Sequence, residues 1–197
     1  EFIHSSTPHP SFWEHFGQSL AALHRHRHHQ YGLHFDNYIG SLPQHNAYLE
    51  DGLQFFIERR LKAQAGLALY ENKISPQLYE RINQLAEKLG DLLPPEPPAL
   101  LHGDLWSGNF MVNHQGQATI IDPATYFGNR EAEIAFTQLF GGFDQRFYQA
   151  YQAENPLTPG FDERKDIYNL YPLLVHVNLF GSGYLSGVER TLSKYLG

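Results

Sequence analysis

The chain has 197 residues, of which 42% are hydrophobic and 18% charged, with a formal net charge of −7 and no cysteine. This composition supports a packed core and excludes a disordered chain, disulfide bonds and thiolate metal sites. The negative charge argues against duplex nucleic acid as a partner, and the lack of an apolar run of about 20 residues argues against a membrane span. We therefore expect one domain, or two small ones sharing a core, in a cytoplasmic protein.

The N-terminal half is predicted to be mostly helical. Ser11 suits the N-cap of a first helix, and the pair Ser75-Pro76 suits the N-cap and first turn of a later one. Between the first two helices, residues 31–46 have no clean hydrophobic period and are predicted to be a long ordered loop, which is often functional. The helices predicted in this half cover about residues 11–29, 48–68 and 76–89.

The C-terminal half is predicted to contain one β-hairpin followed by helices. The prolines of DLLPPEPPALLHGD favour an extended lead-in. The runs FMVN and ATII around NHQGQ then predict a hairpin whose two-residue turn is Gln115-Gly116, which would pair Asn109 with Asp122. Helices are predicted over about 131–151 and 162–179 with a short last helix, and 123–130 is predicted to be a loop. The expected fold is mainly α with a small β-hairpin, in the α+β class.

The segment HGDLWSGN, residues 102–109, carries the strongest chemical signal. In the predicted hairpin the Cα atoms of Asn109 and Asp122 would lie about 4.5–5.5 Å apart. Amide and carboxylate oxygens that converge in this way suit Mg²⁺. Asp104 could then accept a proton from a bound hydroxyl while the metal holds phosphate oxygens. The alternative reading is that these are ordinary turn and cap residues.

The spacing of this segment is that of the protein-kinase catalytic loop, in which an Asn follows the catalytic Asp by five residues and a second Asp binds Mg²⁺. Here Gly103 replaces the Arg of that pattern, and Asp122 begins Asp-Pro-Ala instead of Asp-Phe-Gly. A glycine cannot pair with a phosphorylated activation loop. The pattern therefore favours a small-molecule kinase over a phospho-regulated protein kinase.

Several further stretches make the resemblance more specific. HGDLWSGN, IDPATYFGNREAEIA, LFGGF, PGF, NLFGSGY and DNYIGSLPQHN, which together span about residues 36–184, closely resemble the fructosamine (ketosamine) kinase family. The resemblance implies ATP and Mg²⁺ as cofactors, Asp104 as the catalytic base, Asn109 and Asp122 as ligands of Mg²⁺ and its nucleotide, and His102 as a residue that fixes the loop. It also implies phosphoryl transfer to the 3-hydroxyl of a ketosamine, which leads to deglycation.

The predicted substrate side includes the loop 31–46. By the resemblance, Asp36 and Asn37 in this loop and Trp106 are candidates for contacts with the sugar. Two other readings stay open: Asp36 and Asn37 could only order the loop through local hydrogen bonds, and Trp106 could only pack it.

A kinase of this fold also needs a Gly-rich loop and a strand Lys, and neither motif is found in the sequence. Glu1, Phe2 and Ile3 resemble the hinge whose backbone contacts adenine in the family, although Glu1-Phe2 could also be a cloning scar. We therefore expect 1–197 to be a kinase-like C-terminal lobe with a hinge remnant over 1–10, lacking its N-terminal lobe and inactive by itself. Self-association or a partner chain would cover the exposed surface. The alternatives are a non-catalytic relic or interaction module, and a kinase of the aminoglycoside or choline type.

A histidine-rich cluster, His24 to His29, lies at the end of the first predicted helix. His24 and His28 are four residues apart and could bind Zn²⁺ on one helix face. No Cys or convincing carboxylate partner accompanies them, so the preferred interpretation is a solvated helix end whose cations face the helix dipole.

Overall fold

The computed structural model describes residues 3–197, and its first helix is α1 (Phe12–Leu23). The other helices in this range are α2 (Gly52–Phe55), α3 (Lys62–Tyr70), α4 (Pro76–Leu92), α5 (Arg130–Leu139), α6 (Gln145–Glu154), α7 (Phe161–Tyr168), α8 (Leu170–Phe180) and α9 (Leu185–Leu196). A π-helical turn, Phe56–Leu61, joins α2 to α3, and a 3₁₀ turn, Ser182–Tyr184, precedes α9. The predicted dominance of helix is confirmed.

The strands form three two-stranded antiparallel sheets within residues 3–197, where the sequence predicted one hairpin. They are β1 (Asn37–Ile39) with β2 (Leu42–Gln44), β3 (Ala99–Leu101) with β6 (Tyr126–Gly128), and β4 (Phe110–Val112) with β5 (Ala118–Ile120). The predicted loops 31–46 and 123–130 are therefore partly strand. The β3–β6 pair joins the proline-rich lead-in to the segment after Asp122, and such a distant pairing leaves no local sequence signal.

The helix boundaries follow local signals in some places and not in others. Ser75 caps α4 as predicted, because its side chain accepts a hydrogen bond from the Leu78 amide at 3.1 Å. Helix α1 ends earlier than predicted, since the chain after it pairs with β3 through the bridge between Arg27 and Ala99. The predicted helix 131–151 is two helices, α5 and α6. Gly141 and Gly142 separate them, both with φ in the left-handed region.

The hairpin of β4 and β5 has a different register from the predicted one. Phe110 pairs with Ile120 and Val112 with Ala118, so that Asn109 lies opposite Ile121 and not Asp122. The loop has three residues instead of two because the Asn113 side chain accepts hydrogen bonds from the amides of residues 115 and 117, at 2.9 and 3.1 Å. Gly116 takes the positive φ, +73°, that closes such a loop.

The larger of two buried apolar clusters in the described residues runs across the helices and includes aromatic side chains that pack against the β4–β5 hairpin. Phe110 of β4 packs against Phe16 of α1 and Phe143 with ring centroids 5.2 and 5.4 Å apart, and the fully buried Phe147 of α6 lies 5.2 Å from Phe16. This cluster attaches β4 to α1 and α6. None of the helices described between residues 3 and 197 has the length and apolar character that crossing a bilayer requires.

Candidate active site

The HGD loop, residues 102–109, connects β3 to β4, and Asp122 follows β5. Two contacts join this loop to the end of β5. The Ile121 amide donates to the Asn109 carbonyl at 2.9 Å, and Nε2 of His102 lies 2.9 Å from the Ile121 carbonyl oxygen. The structure therefore gathers the predicted catalytic-loop residues and Asp122 in one region.

Asp104 and Asn109 are directly bonded. Nδ2 of Asn109 donates to the Asp104 carboxylate at 2.9 Å and to the Asp104 backbone carbonyl at 2.8 Å. Asn109 is buried and Asp104 is half-buried. This pair of hydrogen bonds closes the five-residue span between the two residues and fixes the direction of the Asp104 carboxyl.

Burial raises the pKa of the Asp104 carboxyl from 3.8 to about 7. The hydrogen bond from Asn109 lowers the pKa, while the negative charges of Asp122 and Glu133 raise it further. Desolvation dominates because the charged carboxylate loses more hydration than one amide donor replaces. A carboxyl with a pKa near neutrality can take up and release a proton under ordinary conditions, as a general base requires.

Glu133 of α5 anchors the start of the HGD loop. Its carboxylate accepts the Gly103 amide at 2.7 Å and the His102 amide at 3.1 Å. Gly103 adopts φ +86°, and a Cβ there would lie 2.0 Å from the Ala124 carbonyl oxygen. Position 103, which is Arg in the protein-kinase pattern, therefore accommodates only glycine in this chain.

His102 acts as a brace inside the loop. It is 1% exposed, its Nδ1 accepts the Asp104 amide at 3.3 Å, and its Nε2 faces the Ile121 carbonyl. These partners assign the proton to Nε2, because a carbonyl oxygen can only accept. The imidazole thus connects the Asp104 backbone to the end of β5.

His24 lies in the interior, which corrects the expectation of a solvated histidine cluster at this position. It is fully buried, with Nε2 2.8 Å from Glu133 Oε2 and Nδ1 2.7 Å from the Tyr151 hydroxyl. Burial raises the pKa of Glu133, but the hydrogen bond and charge of His24 and the amide of Gly103 outweigh it, so the pKa is lower than usual. No group of His, Asp and Glu suited to a metal occurs within residues 3–197.

Asp122 and Asn109 offer oxygen atoms that fit a magnesium ion. Asp122 is exposed and adopts φ +54°, a left-handed conformation that is uncommon for a residue with a side chain. Among residues 3–197 the Asn109 Oδ1 accepts no hydrogen bond, since both bonds of that side chain come from Nδ2. A carboxylate and a free amide oxygen are hard ligands, and Mg²⁺ sites often use one or two such groups together with substrate phosphates.

Trp106 begins a row of aromatic side chains that leads away from the HGD loop. Its ring contacts Phe140 edge-on with centroids 6.3 Å apart, and Phe140 lies 4.7 Å from His176, which in turn lies 4.9 Å from Tyr184. Burial lowers the pKa of His176, although its Nδ1 bonds to the Pro172 carbonyl. The row is partly exposed, and it starts at Trp106, two residues after Asp104 in the HGD loop.

The other predicted site residues have different surroundings. Asp36 is exposed and accepts the Asn46 amide at 2.7 Å. The polar atoms of Asn37 are all bonded within the protein, as described below, and Ile3 is half-buried. Glu1 and Phe2 lie outside the described residues. The substrate contacts predicted for Asp36 and Asn37 stay predictions.

Comparison with known proteins identifies the family. The model of the fructosamine kinase family matches residues 1–197. The chain belongs to the fructosamine kinase family. A probable ketoamine kinase from Synechocystis is 43% identical over 185 residues, which cover 93% of this fructosamine kinase chain and 62% of that relative. A rice protein named protein-ribulosamine 3-kinase, chloroplastic, is 39% identical over 184 residues, 91% of this chain and 53% of that protein.

Solved structures give the same result for the fold. A structure from Thermobifida fusca that is named after fructosamine-3-kinase superposes with a TM-score of 0.93 at 35% identity, covering 98% of this fructosamine kinase chain and 68% of that chain. One from Haemophilus somnus of the same name gives a TM-score of 0.88 at 31% identity. The present chain spans less than two thirds of the length of the ketoamine kinase relative from Synechocystis, 62%.

Sequence reasoning missed the buried charged residues that support this candidate site. Glu133 and His24 carry no motif of their own. One signal was present: the first turn of α5 carries three charged residues, Arg130, Glu131 and Glu133, directly ahead of the apolar run that starts at Ile134, and the structure buries all three. A helix that must bury both its charged and its apolar faces lies inside the fold, and its charges then need specific partners.

Proposed function

We propose that the protein containing this chain transfers the γ-phosphoryl group of ATP to a sugar hydroxyl, the 3-hydroxyl, of a ketosamine. The proposal is supported by family membership and by the names of relatives that match 90% or more of the chain. Phosphorylation at that position would destabilise the sugar–amine adduct and free the amine. The chain spans 62% of the Synechocystis relative and 53% of the rice relative, so the activity is proposed for the protein that contains it.

The bonded pair of Asp104 and Asn109 beside Asp122 is the observation that carries this proposal. Asp104 would accept the proton of the sugar hydroxyl, and Asn109 would keep its carboxyl aimed at that hydroxyl. Asn109 Oδ1 and the Asp122 carboxylate would hold Mg²⁺, which when bound neutralises charge on the phosphates. His102 and Glu133 would keep the loop in position. Catalysis would then rest on orientation and charge stabilisation.

We propose that the substrate lies against the aromatic row, next to the HGD loop from which the row starts. Trp106 would stack on the sugar or its amine substituent, supported by its half-buried position next to Phe140. Asp36 would contribute a carboxylate from the side of the β1–β2 hairpin. Asn37 would act mainly through the Thr125 carbonyl, to which its side chain donates.

We further propose that 1–197 is the C-terminal lobe of a kinase-like fold. In this arrangement residues 1–10 form the hinge, the backbone of Glu1, Phe2 and Ile3 contacts adenine, and a second lobe completes the nucleotide site. The described residues by themselves would then turn over ATP poorly. Self-association and a cytoplasmic location remain predictions of the same kind.

The test is release of ADP by the intact protein with Mg·ATP and a panel of ketosamines, aminoglycosides and choline. We expect turnover on ketosamines, and we expect Asp104→Asn to reduce kcat by about 10²–10⁴-fold, the usual contribution of a general base. Asp162→Asn is the control, because Asp162 is exposed on α7 and pairs with Lys165. That variant should keep full activity.

Three other outcomes would contradict the proposal. Turnover only on aminoglycosides or choline would assign a different substrate class to the same machinery. Activity that survives Asp104→Asn would remove Asp104 from the role of base. No turnover, together with no binding of Mg·ATP, would favour a non-catalytic module.

A further inference from the structure

Arg60 is a buried cation that pairs with no carboxylate in the part of the chain that the structure describes. It lies on the π-helical turn and is 1% exposed, and no carboxylate among residues 3–197 is within ion-pair distance of it. The guanidinium instead lies over aromatic rings, 3.9 Å from the centroid of Tyr126 and 4.6 Å from that of Phe55. An arginine that stays charged in a protein interior is costly unless its surroundings satisfy it. A buried charge of this kind is therefore expected to have a specific structural or functional role.

The guanidinium donates into a layer of three buried or half-buried side-chain amides, which we call the amide layer: Asn37, Gln44 and Asn46. Nη2 of Arg60 donates to Asn46 Oδ1 at 2.7 Å. Asn46 Nδ2 donates to Asn37 Oδ1 at 2.7 Å, and Gln44 Nε2 donates to the same oxygen at 2.9 Å. The Tyr171 hydroxyl donates to Gln44 Oε1 at 2.6 Å, so every member has partners on both sides.

The amide layer ends on the backbone that follows Asp122. Gln44 Nε2 donates to the Ala124 carbonyl at 2.9 Å, and Asn37 Nδ2 donates to the Thr125 carbonyl at 2.8 Å. The next residues along the chain form β6. The ring of Tyr126, the first residue of β6, packs on the Arg60 guanidinium. Arg60 thus holds the segment after Asp122 from two directions.

Asp122 needs such support because its backbone is strained. With φ +54° it is in a conformation that persists only where neighbouring structure determines it. The residue is exposed, so its own side chain has few contacts that could fix it. The hydrogen bonds to Ala124 and Thr125 lie two and three residues away and supply that restraint.

We propose that Arg60 is the positioning residue for Asp122 and acts through the amide layer. A charged donor makes the first hydrogen bond of the series short and strong, and bonds in series polarise one another. The series sets the Ala124 and Thr125 carbonyls, and these set the direction of the Asp122 carboxylate. The proposal rests on the proposed function only where it treats Asp122 as a metal ligand.

The test compares Arg60→Met with Arg164→Met in the intact protein. Arg164 is also a buried arginine, but it pairs with Glu131 of α5 at 2.6 Å, and its hydrogen bonds go to Glu131 and to the carbonyls of residues 158 and 159, not to the amide layer. Amide hydrogen exchange is measured without metal or nucleotide, at denaturant concentrations that match the global stability of the two variants. We expect Arg60→Met to raise exchange at residues 121–128 by about tenfold or more and Arg164→Met to leave it unchanged.

A second measurement reads the metal site directly. Loss of a residue that orients a metal ligand typically weakens metal affinity by about 10–100-fold. We therefore expect a Kd for Mn²⁺, measured by titration with a non-hydrolysable ATP analogue present, that rises at least about tenfold in Arg60→Met. Arg60→Lys, which keeps the charge and can still reach one acceptor, should recover part of the loss.

Gln44→Met serves if Arg60→Met does not fold, because it removes the bonds to Asn37, Ala124 and Tyr171 and leaves Arg60 intact. It should raise exchange at residues 121–128 in the same way. Unchanged exchange in both variants would reduce Arg60 to a packing residue and overturn the proposal. Raised exchange with unchanged Mn²⁺ affinity would overturn the link to Asp122. If the wild-type protein neither binds Mn²⁺ nor turns over, the proposed function fails while the exchange result still decides the role of Arg60.

Discussion

Asp104 illustrates at the scale of one residue how a functional group is kept at some expense of stability. Its carboxyl is half-buried next to two other carboxylates, and its pKa is raised to about 7. The unfolded chain would release that proton near pH 3.8, the value for a free carboxyl. Between these two pH values the folded protein holds a proton that the unfolded chain has lost, so ionisation favours unfolding as the pH rises.

Removing this carboxyl should therefore stabilise the protein at alkaline pH. We expect Asp104→Asn to increase the free energy of unfolding at pH 8 by roughly 1–2 kcal/mol, a value reduced from the full shift because the group is partly exposed. At pH 4 the wild-type carboxyl is protonated in the folded state, and the difference should disappear. Denaturant unfolding at the two pH values in metal-free buffer measures both.

The same titration on Asp162→Asn is the reference, since that exposed carboxylate lies outside the site. An Asp104→Asn variant that is less stable than the wild type at pH 8 would show that ionisation of the Asp104 carboxyl does not destabilise the folded state. The raised pKa would then have to be rejected together with the base role that it supports.

At the scale of one element, α5 carries two buried glutamates that do different work. Glu131 pairs with Arg164 in two hydrogen bonds of 2.6 and 2.7 Å. Glu133 accepts hydrogen bonds from the amides of the HGD loop and contacts Nε2 of His24. The two carboxylates are 0% and 3% exposed as residues and stand on one helix. They form a matched pair in which only one reaches the site.

We expect Glu133→Gln and Glu131→Gln each to reduce the free energy of unfolding by about 3 kcal/mol, because each leaves buried donors without their charged acceptor. Only Glu133→Gln should also lower kcat, by at least about tenfold, since the HGD loop loses its anchor. Steady-state kinetics well below the melting temperature separate the two effects. Equal kcat values for the two variants would assign Glu133 to stability alone.

The elements also show what local sequence could predict. The cap of α4 and the HGD loop were readable because Ser75 and Asp104 act on residues within five positions of themselves. The register of the β4–β5 hairpin was missed by one residue because the Asn113 side chain closes a three-residue loop, which the Gln-Gly pair in the sequence did not indicate. The family resemblance was confirmed by the family match, and the roles that the kinase spacing assigns to Asp104, Asn109 and Asp122 stay predictions.

Interactions between distant parts of the chain were beyond the reach of local patterns. His24 was read as solvated because its partner, Glu133, stands 109 residues further along. The pairing of β3 with β6 was missed because each strand has three residues, and the sequences Ala-Leu-Leu and Tyr-Phe-Gly show no alternation of polar and apolar residues. No local pattern marks Arg60 as buried, because its guanidinium lies over the rings of Phe55 and of Tyr126, and Tyr126 is distant in the sequence.

At the scale of the whole molecule, stability depends on the aromatic cluster that joins the hairpin to the helices. Phe147 of α6 is fully buried at its centre, next to Phe16 and Phe143. We expect Phe147→Ala to reduce the free energy of unfolding by about 3–5 kcal/mol through lost burial and the cavity left behind. That is a large share of the total stability of a domain, about 5–15 kcal/mol.

Tyr70→Ala is the control for this prediction, because Tyr70 is 86% exposed at the end of α3 and its loss should change stability by less than about 0.5 kcal/mol. Both variants are measured by denaturant unfolding. A small effect of Phe147→Ala would mean that the cluster can collapse into the space, and that the hairpin is attached by other contacts.

The stretch ahead of α1 also touches the hairpin. The Ser6 amide and hydroxyl donate to the carbonyls of Val112 and Asn113, at 3.2 and 2.6 Å, and the His9 amide donates to the Gly116 carbonyl at 3.0 Å. These bonds follow the strand whose other end leads back to Asn109. A displacement of Ser6 would therefore shift β4 through these hydrogen bonds. The shifted hairpin would change the distance between the Asn109 Oδ1 atom and the Asp122 carboxylate, which lie at its two open ends.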